Sequence, residues 1–149
     1  MTRDTILQQL LDEREISVQL AVLARILDTR AWDRVPEVVA EDVSFDYSDS
    51  GSDETGRDAL LANFRRYLDV CGPSQHLIGS LMVMVEGDRG TSRCYVQARH
   101  RAKEPADPRL FDSNGEYIDT WERRPEGWRM VHRRARWQSH SGDPSVIGL

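Results

Sequence analysis

Apolar positions in the first third of the chain recur at helical intervals. Residues 4–11 place Ile6, Leu7, Leu10 and Leu11 on one side of a short amphipathic helix. Asp12 and Glu15 stand at capping-box spacing, so a second helix is expected to begin there. Ile16, Leu20, Leu23 and Leu27 then follow at steps of four and three, a single helical face that runs out near Asp28. In "TRAWDRVPEVVAED", Pro36 limits any further helix to a short one starting near that residue. "VSFDYS" (43–48) alternates as a strand with Val43, Phe45 and Tyr47 on one side. "DSGSDETG" (49–56) reads as a polar loop, and "RDALLANFRRYLDV" (57–70) as an amphipathic helix stopped by Gly72 and Pro73.

The second half changes period. Strands are expected over 75–86, 91–103, 115–124 and 127–138, with turns at Gly87-Asp88 and Pro125-Glu126-Gly127, which makes an antiparallel meander. The middle connection, "KEPADPRLFDSNG", carries two prolines and is long enough to rim a pocket, with Leu110 and Phe111 as its apolar contacts. The last eleven residues, "SHSGDPSVIGL", read as a tail (139–149) at the same rim, after a single domain over 1–138. Helices first and a curved sheet afterwards is an α+β layout, in which the sheet buries one face against the helices.

Alternation sorts the strand residues into faces. His76, Ile78, Ser80, Met82 and Met84 are expected on one, and Leu77, Leu81, Val83 and Val85 on the other. A sheet apolar on both faces invites a partner copy, so a homodimer or homotrimer is expected. In the next strand Cys94, Val96, Ala98 and His100 share a face.

Composition narrows the possibilities. The 149 residues suit one compact globular domain, 39% apolar and 30% charged. The net charge of −5 argues against a nucleic-acid partner. No apolar stretch is long enough to span a membrane, and "MTRDTILQQLLDERE" is too charged for a secretory signal. Cys71 and Cys94 therefore read as free thiols of a cytoplasmic protein. There is no CxxC, HExxH or H-x-D pair for a metal, no G-x-S-x-G elbow, and no GxGxxG or P-loop, so no cofactor is expected. Six arginines crowd residues 123–136, namely Arg123, Arg124, Arg129, Arg133, Arg134 and Arg136. They are expected on a solvated or subunit-facing surface, paired with the many acids.

Two histidines on apolar strand faces stand out, because a buried imidazole is costly without hydrogen-bond partners. His76 and His100 lie near the same end of adjacent strands. On the residues alone they are either a pair of core histidines satisfied by backbone or working groups. Asp28, at the end of a Leu/Ile-faced helix, is either an exposed carboxylate, an N-cap for the following turn, or a functional group. Tyr47 is either a core tyrosine or a pocket one.

The words "LDTRAWDRV", "EDVSFDYS", "SQHLIGS", "QARH" and "EGWRMVHR", in that order over residues 12–138, resemble the SnoaL-like branch of the nuclear-transport-factor-two-like superfamily. They are most similar to scytalone dehydratase and its dehydratase relatives. The resemblance implies a cone: a strongly curved, mostly antiparallel sheet wrapped around N-terminal helices, with a deep apolar pocket. It implies Asp28 and His76 as a proton-removing dyad, Tyr47 orienting a water or carbonyl, and His100 assisting the leaving oxygen. Trp32, Ile78, Val96, Ala98, Ile118 and Phe111 are expected around a small, apolar, cyclic substrate. The match departs from scytalone dehydratase at Leu27, where a second tyrosine is expected, and at Glu116 and Ile118, where a serine and an asparagine are expected. The implied activity is a cofactor-independent lyase or isomerase. A polyketide cyclase, an epoxide-opening enzyme built on an Asp-Arg-Asp arrangement not evident here, and a non-catalytic ligand-binding module stay open.

Overall fold

A computed structural model describes residues 1–149. One helix, α1 (Arg3–Thr29), covers the whole N-terminal segment where two had been expected. Its cap is Thr2, whose hydroxyl accepts the Thr5 N–H at 3.2 Å. Asp12 caps nothing. Its carboxylate reaches sideways to the Arg123 guanidinium (2.9 and 2.8 Å) and the Trp128 indole N–H (3.1 Å), while Glu15 accepts the Trp128 backbone N–H. The capping-box spacing arises because both acids lie on the helix face that meets one strand hairpin. From Asp12 onward α1 buries Ile16, Leu20, Leu23, Ile26 and Leu27; before it, Ile6, Leu7, Leu10 and Leu11 remain exposed.

A 3-10 helix, Trp32–Glu37, contains Pro36 within it and leads into strand β1 (Val39–Asp46). A loop and the two-residue strand β2 (Glu54–Thr55) precede α2 (Arg57–Leu68), which buries Leu60, Phe64 and Leu68. Four long strands follow: β3 (Ser74–Glu86), β4 (Arg89–Arg101), β5 (Leu110–Arg124) and β6 (Gly127–Gly142). The sheet order is β2-β1-β6-β5-β4-β3, antiparallel except for the parallel β1–β6 pair. The fold is α+β, a single curved sheet around α1 and α2, as expected.

Strands β5 and β6 extend further than their sequence suggested. Leu110 and Phe111 pair with Arg101 and His100, so the connection shrinks to the residues between β4 and β5, and Leu110–Gly115 are sheet rather than loop. Residues 139–142 continue β6, and a 3-10 helix, Pro144–Ile147, buries Val146 and Ile147 against the core. The segment read as a tail at the pocket rim is thus built into the wall. At Gly142, φ is +93° and a Cβ would collide with the Leu110 carbonyl, so only glycine allows β6 to lie against β5 there.

Bulges overturn two readings of which residues face inward. In β3, Gly79 pairs with Tyr95 but Met82 with Arg93, so two residues oppose one, and Ser80 takes up the left-handed φ of 50°. A one-residue slip exchanges the faces. Leu81, Val83 and Val85 therefore pack on the core, while Met82 and Met84 are exposed with Leu77. In β6 the register slips between its pairings with Thr120 and Trp121, and again between those with Asn114 and Gly115. The first slip moves the inward set from Trp128 and Met130 to Arg133 and Ala135, which is how one member of the arginine cluster is fully buried. The others of the cluster sit at the surface in ion pairs or on backbone oxygens.

Candidate active site

The end of α1 is tied to the start of β3 by Arg30. It occupies the left-handed C-cap position (φ 57°), and its guanidinium donates to the carbonyls of Leu27, Leu68 and Gly72 and to the Ser74 hydroxyl. This clamp sets Asp28 opposite His76. The Asp28 carboxylate accepts three hydrogen bonds: from the His76 backbone N–H (2.9 Å), the Ser74 hydroxyl (3.1 Å) and His76 Nδ1 (2.6 Å). Burial by itself would raise the Asp28 pKa, but the bonds from His76 outweigh it and hold it below the ordinary carboxylate value. Asp28 is therefore ionised at neutral pH and can only accept. His76 must carry a proton on Nδ1, so in the neutral ring Nε2 is the nitrogen with the bare lone pair. The His76 side chain is only 6% exposed.

His100 stands beside it, the two rings edge to face with centroids 5.9 Å apart. Its Nδ1 is 2.9 Å from the Phe111 carbonyl, which can only accept, so His100 also keeps its proton on Nδ1. Burial pushes the His100 pKa below its ordinary 6.5, so the ring is neutral at pH 7. Two imidazoles thus sit side by side at one end of β3 and β4, each with its Nδ1 engaged by an acceptor.

Both line a cavity of about 690 Å³, within the usual range for small-molecule sites. Tyr47 lines it too, just past the end of β1, with Phe45 and Phe64 packed on its ring edges. Asp28 stands behind His76. The structure thus brings Asp28, His76, Tyr47 and His100 to one place. Of the expected substrate contacts, Ala98 and Phe111 line the cavity. Trp32, Ile78, Val96 and Ile118 do not. Trp32 bonds Asp69 and stacks on Phe64; Ile78 and Val96 belong to a small second core cluster; Ile118 lies on the outer face of β5 beside Arg93 and Arg134. Glu116 is likewise outside, bonded to Arg93.

Among the inward residues of β5, Phe111, Ser113 and Tyr117 line the cavity. Starting the strand at Leu110 would have revealed them by alternation. His140 and Trp137, across the second β6 bulge, complete the wall. His140 stacks on Phe111 (5.5 Å, 11°) with Nδ1 3.0 Å from the Ser113 hydroxyl. No regular spacing signals it, because the bulge breaks the alternation. The end of the chain closes the rim through Pro144, Ile147 and Leu149.

The sequence profile described as a SnoaL-like domain matches residues 8–134. Among solved structures, the fold is similar to the Kfla4162 protein of Kribbella flavida (TM-score 0.83, 20% identity, 93% of this chain and 98% of that one). It is also similar to a candidate scytalone dehydratase of Novosphingobium aromaticivorans (0.79, 20%, 90% and 89%) and to a candidate dehydratase of the NTF2-like family from Streptomyces avermitilis (0.76, 14%, 87% and 98%). Identities this low establish a shared fold and not a shared activity. No curated protein matches the chain.

Proposed function

Because this chain belongs to the SnoaL-like domain family, whose fold with such a cavity supports an enzyme-like or ligand-binding function, we propose that it is a dehydratase-type lyase or isomerase. The observation that carries this reading is the 2.6 Å contact between Asp28 and His76 Nδ1, with the other ring nitrogen left as a base at an apolar cavity. His76 Nε2 removes a proton from a carbon beside a carbonyl, and Asp28 stabilises the imidazolium that forms. Tyr47 donates a hydrogen bond to the carbonyl oxygen as it gains charge. His100 Nε2, able only to accept, holds a substrate hydroxyl by its proton. The imidazolium of His76 then returns its proton to the departing hydroxyl: a C–H and a C–O bond break, a C=C bond forms and water leaves. No cofactor enters this balance. Ring closure and double-bond migration would start from the same proton removal. The apolar wall of Leu27, Phe64, Ala98, Phe111, Trp137 and Ile147 suits a small cyclic substrate. An Asp-Arg-Asp epoxide-opening centre finds less support, since buried Arg133 bonds one aspartate, Asp119.

A panel of small cyclic β-hydroxy ketones in deuterium oxide tests the proposal by mass spectrometry. At least one member should lose water or exchange its α-hydrogen with the parent protein and not with His76→Ala. Equal rates with parent and variant would refute it.

We also propose that copies associate through the outer face of the sheet, as a homodimer or homotrimer. Leu77, Met82, Met84 and Tyr95 are each more than half exposed on adjacent strands β3 and β4, a patch that water solvates poorly. Analytical ultracentrifugation should find a dimer or trimer, and Met82→Glu together with Met84→Glu should dissociate it. A stable monomer of the parent protein at micromolar concentration would contradict this.

No helix is long and apolar enough to cross a membrane.

A further inference from the structure

Behind the cavity wall lies an ion pair that the chemistry above does not use. Arg133, from β6, and Asp119, from β5, are each 1% exposed, and neither lines the cavity. Asp119 accepts from Arg133 Nε and Nη2, both at 2.8 Å. That bidentate contact takes up one edge of the guanidinium. On the other edge, Nη1 points to the Tyr47 hydroxyl oxygen at 3.5 Å. The flat face lies over the Tyr117 ring, 3.9 Å from its centroid. The cation is thus shared among one carboxylate and two phenols, and both phenols line the cavity.

A buried ion pair is weak evidence for stability, since apolar residues of similar volume would often serve as well. The orientation of this one is informative. The carboxylate sits on the edge away from Tyr47, so the phenol oxygen meets the positive end of the pair. An N–H directed at that oxygen occupies one of its lone pairs and leaves the phenol's own proton free to be donated elsewhere. The open side is the cavity.

We propose that Arg133, held by Asp119, is a positioning residue that turns Tyr47 into a strong hydrogen-bond donor toward an oxygen gaining negative charge in the cavity, with Tyr117 forming the other side of that oxygen's site. This rests on the proton-abstraction reading and deepens it. The substrate class is a carbonyl compound whose oxygen lies at Tyr47 while its acidic carbon lies at His76. The polarisation is electrostatic and pre-set, so it needs no rearrangement during reaction. Burial pushes the Tyr47 pKa up and Arg133 pulls against it. The ionisable groups facing Tyr47 are Arg133 from β6 together with Asp119 and Tyr117 from β5; Cys94 from β4 is the further group that bears on Tyr117.

The test is a spectrophotometric titration of the tyrosines, following phenolate absorbance in the near ultraviolet. It needs no substrate, so its outcome is independent of whether the dyad is catalytic. Asp119→Asn leaves a buried arginine without its carboxylate. A cavity phenol should then supply the countercharge, ionising at least about tenfold more readily, a shift of one pH unit or more. Adding Tyr47→Phe should abolish that shift. The neutral pair Asp119→Asn/Arg133→Gln should not show it, and its tyrosines should ionise at higher pH than those of the parent. Circular dichroism establishes that each variant is folded. If Asp119→Asn does not fold, the neutral pair and the parent provide the comparison. Superimposable tyrosine titrations in the folded variants and the parent would overturn the proposal and leave Arg133 a packing residue.

Discussion

His76→Ala should lower turnover by about 10²–10⁴-fold, the usual contribution of a positioned general base. Asp28→Asn should cost a similar amount for a different reason. An asparagine at 28 can offer N–H to Nδ1, which would push the imidazole proton to Nε2 and remove the lone pair aimed at the cavity. The double variant should then lose little more than either single one, because the two side chains act as one unit. Stability should change little with His76→Ala, since Asp28 keeps the Ser74 hydroxyl and the backbone N–H of residue 76 as donors. Steady-state kinetics of the three variants on one substrate decide the matter. Additive losses would mean that Asp28 and His76 contribute separately, and a His76→Ala variant near the parent rate would return the histidine to a structural role.

Asp12→Ala should destabilise the fold by about 2–3 kcal/mol. The Asp12 side chain is only 6% exposed and fastens α1 to the β5–β6 hairpin through Arg123 and Trp128. Its loss leaves the indole N–H of fully buried Trp128 without an acceptor. It also deprives Arg123 of its better partner; Asp88, the other, is largely exposed. Arg123 is itself about a third open to water, which moderates the cost. The same knot gives an acid limit. The hydrogen bond from Arg123 holds the Asp12 pKa below its ordinary 3.8, against the opposing effect of burial. A carboxyl with a depressed folded pKa contributes its stability above the unfolded value and loses it as pH falls through the folded one. The parent should therefore lose stability below about pH 4, and Asp12→Ala should lose less over that range. Urea denaturation at pH 7 and at pH 3 measures both effects. Equal sensitivity to acid in parent and variant would remove Asp12 as the cause.

The difference between what could be read early and what could not is visible within single strands. In β4 the alternation of Cys94, Val96, Ala98 and His100 holds without interruption, and all four are buried as expected. In β3 and β6 the same rule fails after each bulge. It misplaced Met82 and Met84, put Arg133 on the surface and gave no sign of His140. The expected loop before β5 failed for another reason. Leu110 and Phe111 join the sheet because β4 offers Arg101 and His100 as partners, and neither Pro105 nor Pro108 lies within the strand. The helix start at Asp12 was a true spacing with a different cause, a tertiary ion pair in place of a cap.

The sequence by itself determined the α+β order of elements, the buried stripe of α1 from Ile16 to Leu27, the family, and the placement of a histidine at the head of a strand. These follow from periodicity and from residue types that act locally. The tertiary structure alone decided which nitrogen of His76 faces Asp28, which arginine is buried, and which side chains surround the cavity. Each of these depends on groups far apart in the chain: Asp28 with His76, Asp119 with Arg133, Phe111 with His140. The first is set by the Arg30 clamp between α1 and β3 and the other two by strand register, where a bulge of one residue exchanges the faces without changing composition or hydrophobic content.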